Sequence, residues 1–178
     1  MIRILSVFFL GAFLAVSPAL ANGPALVTVT GNIENPNRGP ADEFADAFFT
    51  SQDVEFQKAA AFDLESLEAL GMKKITASYP DWPAEVTVEG PLLADVLAAA
   101  GAKGDTIVVR ALDGYAPEIP MSDLTAYPVV LALKMNGEYL GLGGRGPAWI
   151  VYPRNDYPDL AETDDSKWVW SVFHMEVK

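Results

Sequence analysis

The sequence predicts an α+β domain in which a mixed β core is surrounded by a few short helices. Short apolar or alternating runs recur between Gly, Pro, Asn and Asp punctuation, the signature of strands rather than long helices. Two segments carry helix caps and apolar spacing. Asn136-Gly137 between Leu131–Met135 and Glu138–Leu140 is a strong short hairpin signal, because a type I′ turn needs positive φ at both central residues.

In chain order, Leu26–Gly31 alternates and reads as a first strand, and Asn32–Gly39 as a loop. Residues 42–57 mix aromatics with acids and read as a strand or irregular excursion. Asp63 caps a short helix with Leu64, Leu67 and Leu70 on its apolar side and Gly71 as its stop. Lys73-Lys74 then suits the negative end of that helix's dipole. Ile75–Tyr79 and Glu85–Val88 are strands separated by a Pro80-Asp81-Trp82-Pro83 turn. Leu92–Ala100 is a helix ended by Gly101, and Thr106–Ala111 is a buried strand. Ser122 caps a helical turn. Val129–Met135, Glu138–Leu140, Ala148–Tyr152 and Trp168–Val177 complete the strands.

The start of the chain reads as a secretory signal. Met1-Ile2-Arg3 is followed by an apolar run and an Ala19-Leu20-Ala21 ending, with cleavage expected after Ala21. The run is too short to span a bilayer stably, and no later segment is long enough. The expected mature chain, residues 22–178, is a single domain long enough to bury a core. Twelve basic residues face 24 acidic ones, and losing Arg3 takes the net charge from −12 to −13. So acidic a surface argues against nucleic acid and anionic lipid as partners. With no cysteine anywhere, packing rather than disulfides holds the fold.

Hydrolytic and metal chemistry find little support. His174 is the one histidine, and it reads as a structural or edge-facing residue of the last strand. There is no Gly-x-Ser-x-Gly elbow, and the acidic run Glu162, Asp164, Asp165 lacks EF-hand spacing. The glycine-rich stretch after the hairpin is more informative. Gly143, Gly144 and Gly146 let backbone N–H groups approach a ligand. Arg145, Trp149 and Arg154 place two guanidiniums and an indole around them.

Taken together, Met135-Asn136-Gly137-Glu138-Tyr139-Leu140, the Gly143–Pro147 loop and the strand ending Ile150-Val151-Tyr152-Pro153 resemble the sulfite-oxidase-type molybdopterin-binding domain. Gly90-Pro91-Leu92-Leu93 through Ala100-Gly101 looks like that family's GxPL…LLxxAG helix, and Ala111-Leu112-Asp113-Gly114-Tyr115 like its SADGY strand end. The resemblance runs from about Phe62 to the C-terminus. It implies the family's fold and a pterin pocket. It also exposes a departure, since family enzymes hold molybdenum through one cysteine thiolate. Counting back from Gly90, with Trp82 as the family's tryptophan, puts Ser78 at that position. A serine hydroxyl is a harder and far less acidic ligand, so thiolate-bound molybdenum is not expected here.

A pterin is flat, with an amino-pyrimidinone edge and a polar tail. It calls for an aromatic face, an acceptor for its donor edge, and cations or N–H groups for its oxo group. Trp149, Trp82, Tyr115 and Tyr152 are stacking candidates, and Asp113 or Asp156 candidates for the donor edge. Arg145, Arg154 and the loop glycines, Gly144 among them, are candidates for the oxo group or tail, and Ser78 joins by position. Each has a plain structural alternative: Trp149 in the core, Asp113 as a turn former, Arg154 paired with Asp156 or Asp159. Three functions follow. Cysteine-less relatives of this fold bind reduced pterins in the periplasm and report them to a membrane-bound cyclic-di-GMP enzyme, a diguanylate cyclase or phosphodiesterase, and this chain looks like one. An oxidoreductase with a non-cysteine metal ligand, and an interaction protein with a vestigial pocket, are the alternatives.

Overall fold

A computed structural model describes residues 23–178. The expected signal segment, residues 1–21, lies outside the described residues. No helix among the described residues is long and apolar enough to cross a membrane. The strands and helices begin with β1 (Val27–Gly31), α1 (Ala47–Ser51), β2 (Ala60–Phe62), α2 (Leu64–Ala69), β3 (Lys73–Ala77) and β4 (Val86–Gly90). α3 (Leu93–Ala100), β5 (Thr106–Ala111), β6 (Glu118–Pro120) and α4 (Met121–Ala126) follow. β7 (Val130–Ala132), β8 (Lys134–Met135), β9 (Glu138–Tyr139), β10 (Trp149–Val151) and β11 (Val172–Val177) complete the chain.

Among the described residues three sheets form: β2-β1-β11-β5-β6, β3-β4-β8-β9 and the pair β10-β7. All neighbours are antiparallel except β1 and β11, which makes the large sheet mixed, as expected. One apolar core unites the sheets, drawing Val27 and Val29 from β1, Leu93, Val96 and Leu97 from α3, and Trp149, Ile150 and Val151 from β10.

Asp63 caps α2 as expected, its carboxylate accepting from Ser66 N–H at 2.9 Å and from Gly23 N–H at 2.7 Å. Gly101 ends α3 with φ of 69°. Asn136 and Gly137 take φ of 52° and 87°, the geometry of the type I′ hairpin between β8 and β9.

Several expectations are corrected. The excursion after Asp42 contains α1, too short to show helical periodicity. It covers the large sheet: Val54, Phe56 and Ala59 form a second small core with Phe49, whose ring meets His174 at 5.9 Å. β1, whose sequence alternates, is therefore covered on both faces, with Thr28 and Thr30 nearly as buried as Val27 and Val29. Lys73 and Lys74 do not end a helix; Gly71, with φ of 98°, stops α2 earlier and the lysines open β3. Ser122 lies inside α4, whose cap position is Pro120, a residue suited to helix starts. Val129–Met135 splits at Leu133 into β7 and β8, which serve different sheets. The last strand begins only at Val172, because Ser171 has φ of 54°. β2 and β6 are three-residue strands defined by their partners rather than by any local pattern.

His174 is not at an edge but in β11, between β1 and β5, and is buried. Its Nε2 lies 2.8 Å from Thr30 Oγ1, while Nδ1 has no partner, and Arg110 sits across the ladder. Burial, reinforced by Arg110, pushes its pKa down from 6.5 to about 4. The unfolded chain thus binds the proton more tightly than the folded one, and stability falls as pH drops from 6.5 towards 4. The full loss is about 3 kcal/mol, at about 1.4 kcal/mol per tenfold in proton affinity. Denaturant titrations at pH 7 and pH 4 should show this loss in the native protein and a loss smaller by about that amount in His174→Gln.

Candidate functional site

The chain turns that follow β3, β9 and β10 converge on one cluster of rings. β3 runs straight into Ser78 and Tyr79, and the loop beyond carries Trp82. β10 supplies Trp149, then Tyr152 and Arg154, and Trp168 joins from the segment before β11. Trp82 lies 5.3 Å from Trp149 and 5.5 Å from Trp168 between ring centres, and Tyr79 lies 6.1 Å from Trp168. Tyr152 stacks on Trp168 at 6.3 Å and 23°.

Arg145 covers this cluster. Its guanidinium carbon lies 4.4 Å from the Trp149 ring centre and 5.4 Å from that of Trp82. Its backbone carbonyl accepts from Ser171 N–H at 2.9 Å, but its guanidinium has no hydrogen bond or ion pair to any described residue, so all the guanidinium N–H donors remain to be used. Burial lowers its pKa from the ordinary value, and Asp165 works in the opposite sense. The loop is shaped by Gly146, where a Cβ would fall 2.3 Å from the Leu140 carbonyl oxygen. The loop's N–H groups do not form the expected cradle. Those of Gly144 and Gly146 both donate to Gly141 O, at 3.3 and 3.2 Å, closing the turn on itself.

The other candidates separate into near and far. Trp82 is half-buried at the cluster's surface. Trp149 is 1% exposed and its indole N–H donates to Trp168 O at 3.2 Å, so it supports Arg145 from below rather than offering a free face. Arg154 stacks on Tyr79 at 4.5 Å and donates to the carbonyls of Thr163 and Ala161, which makes it a tie between the β10 end and the loop beyond. It pairs with neither Asp156 nor Asp159. Ser78 donates to Asn155 Oδ1 at 2.7 Å, and Asn155 Nδ2 donates to Glu85 Oε2 at 2.7 Å. Asp113 is exposed, and its carboxylate accepts from Tyr115 N–H at 3.0 Å as a turn former does. Tyr115 is 48% exposed and donates to Ser166 O at 2.9 Å, on the far rim of the cluster. Asp156 is exposed and lines a separate groove with Asn155.

Two cavities flank the rings. One of about 320 Å³ is lined by Trp82, Glu85, Asn136 and Arg145. The other, of about 470 Å³, is lined by Tyr152, Trp168, Asp123 and Lys167. There Asp123 accepts from Tyr152 at 2.9 Å and from Lys167 at 2.8 Å. Burial, with Asp123 beside it, pushes the Tyr152 phenol well above its ordinary range, so it stays a donor. Tyr79, Trp168, Glu85, Asn155 and Lys167 escaped the sequence reading. Trp168 was legible only as one more strand aromatic, and nothing in spacing links Ser78 to Asn155.

The burial of Trp149 sets a cost on removing it. Trp149→Ala should destabilise the protein by about 3–5 kcal/mol, measured as a lowered denaturation midpoint. A loss under about 1 kcal/mol would mean that the indole is not core.

The comparisons agree on the frame. The chain is similar to the sulfane dehydrogenase SoxCD from Paracoccus pantotrophus, with a TM-score of 0.58 and 19% sequence identity. The match covers 86% of this chain but only 38% of that one, so this chain corresponds to well under half of its relative. At that identity the likeness speaks for the fold. No curated protein matches the chain. The model of the oxidoreductase molybdopterin binding domain matches residues 27–172, nearly all that the structure describes, and the chain belongs to that family.

Proposed function

We propose that this is an exported, non-enzymatic pterin-binding protein of the periplasm. In this reading it relays pterin status to the periplasmic domain of a membrane-bound diguanylate cyclase or phosphodiesterase. One observation carries the binding half: a half-buried arginine lying over two packed indoles, with every guanidinium donor unspent, in a chain with twice as many acids as bases. Unpaired donors over an aromatic face suit a flat, oxo-bearing heterocycle.

The two halves of molybdopterin fare differently against these residues. The metal half does not fit. The chain has no thiolate, the Ser78 hydroxyl is held by Asn155, and no three metal-ligating side chains cluster among the described residues. No redox step is therefore assigned to the site. The pterin half fits. Trp82 offers a face, Arg145 donates to the oxo group or tail, and Glu85, in the same cavity, accepts from the amino-pyrimidine edge. A stacked ring adds about 0.5–1.5 kcal/mol beyond its buried area, and a charge-assisted hydrogen bond about 1.5–3 kcal/mol. A reduced tetrahydropterin is the working ligand. The relay to a membrane enzyme rests on the resemblance to cysteine-less relatives and on the exported character expected from the N-terminus. The vestigial reading is disfavoured by the two open cavities beside the rings.

Titration of tetrahydropterin into the purified protein, followed by calorimetry, tests the site. Arg145→Ala should weaken binding tenfold or more, equal to about 1.4 kcal/mol, without lowering the denaturation midpoint by a comparable amount. Equal affinity in a folded Arg145→Ala variant would move the site elsewhere. Ser78→Cys should acquire neither bound molybdenum nor oxidoreductase turnover when expressed in cells that make the cofactor, because the remaining pocket groups do not change with it.

A further inference from the structure

One sheet edge is both long and bare. In the large sheet, the edge strand β2 is closed by Asn37, which donates to Ala61 O at 2.8 Å and accepts from Ala61 N–H at 2.7 Å. β6 spans three residues and ends in Pro120, and β9 spans two. β3 spans five and has a neighbour, β4, on one side alone.

The ladder shows which of its groups face outward. Thr87 O and Glu89 O accept from Asn136 and Leu133, so these β4 residues turn towards β8. Val86, Val88 and Gly90 therefore turn towards β3, where they pair with Ala77, Ile75 and Lys73. Lys74 and Thr76 direct their N–H and C=O groups away from the sheet, and no described backbone group meets them. A groove of about 740 Å³ runs along this edge. Lys73 and Lys74, the latter with its ammonium 2.9 Å from Glu89 of the same chain, line it towards the Gly90 end of the ladder, and Glu85 and Asp156 towards the Ser78 end, with Pro128 and Tyr157 also lining it.

We propose that β3 pairs antiparallel with β3 of a second copy about a twofold axis at Ile75, joining the two four-stranded sheets. The bipolar edge is self-complementary under that operation, as an isologous contact requires. Lys74 falls opposite Thr76 of the second copy, and these are the outward-facing residues, so the register closes hydrogen bonds. The lysine end of each copy then lies beside the Glu85 and Asp156 end of the other. Lysines on an edge commonly discourage pairing; here the twofold keeps lysine from facing lysine. Each copy also brings its lysines towards the Glu85–Asn155–Ser78 chain of the other. The inference is independent of the pterin reading, because it is read from mass with no ligand present.

Light scattering during size-exclusion chromatography, at tens of micromolar protein, should give twice the monomer mass. Thr76→Pro removes one outward N–H and no bond to β4, so it should give a monomer with an unchanged circular dichroism spectrum. The paired reversals Lys73→Glu/Lys74→Glu and Glu85→Lys/Asp156→Lys should each be monomeric alone and dimeric when mixed. This arm decides the matter should the proline variant fail to fold. A monomeric native protein, a dimer untouched by Thr76→Pro, or reversal variants that fail to rescue one another would overturn the proposal. So would an edge that takes up an unrelated acidic peptide while the protein stays monomeric.

Discussion

The guanidinium of Arg145 resting on Trp149 and Trp82 is the contact around which this site is organised. A partly buried cation loses hydration, and the indole faces return about 0.5–2 kcal/mol of that through their quadrupoles. They cannot return the hydrogen bonds. A carboxylate would, yet in a chain of 24 acidic residues none is within ion-pair distance of Arg145. The hairpin between β8 and β9, the tight loop at Gly146 and the buried Trp149 hold the arginine in place without satisfying it. A rigid scaffold that leaves a strong donor set unspent is arranged for something that arrives later.

On the proposed alignment, oxygen stands at Ser78 where family enzymes present sulfur, and that exchange has a local consequence. The hydroxyl enters a chain through Asn155 to Glu85, which places a carboxylate at the same small cavity as Arg145 and Trp82. Acceptor, cation and aromatic face then share one opening. On the proposed reading, that combination takes a polar heterocycle by shape and hydrogen bonding and offers no soft ligand for a redox metal. β3 ends at Ala77 and runs directly into Ser78, so the bare sheet edge and the proposed binding cluster are contiguous in the chain.

Much of this was legible in the sequence where the cause is local. β5, α3 with Gly101, the Asp63 cap and the Asn136-Gly137 turn follow from periodicity and backbone preference, and the family motifs located Arg145 and Trp82. Other features have no local cause. β2 and β6 are strands only because β1 and β5 lie beside them, and α1 exists to cover Thr28, Thr30 and His174. Trp149 and Trp82 are the same residue type in similar surroundings, and only the tertiary packing makes one a support and the other a surface. Trp168, Asn155 and Glu85 reach the site from three separate segments, a convergence that spacing along the chain does not encode.

The direct test of the account is the identity of what the protein carries. Native mass spectrometry of the protein recovered from the compartment where it works, kept anaerobic to preserve reduced pterins, should show an added mass equal to a metal-free pteridine. Substitution of Arg145 should abolish it. Molybdenum in the bound species, or no pteridine retained under those conditions and none taken up on addition, would contradict the account.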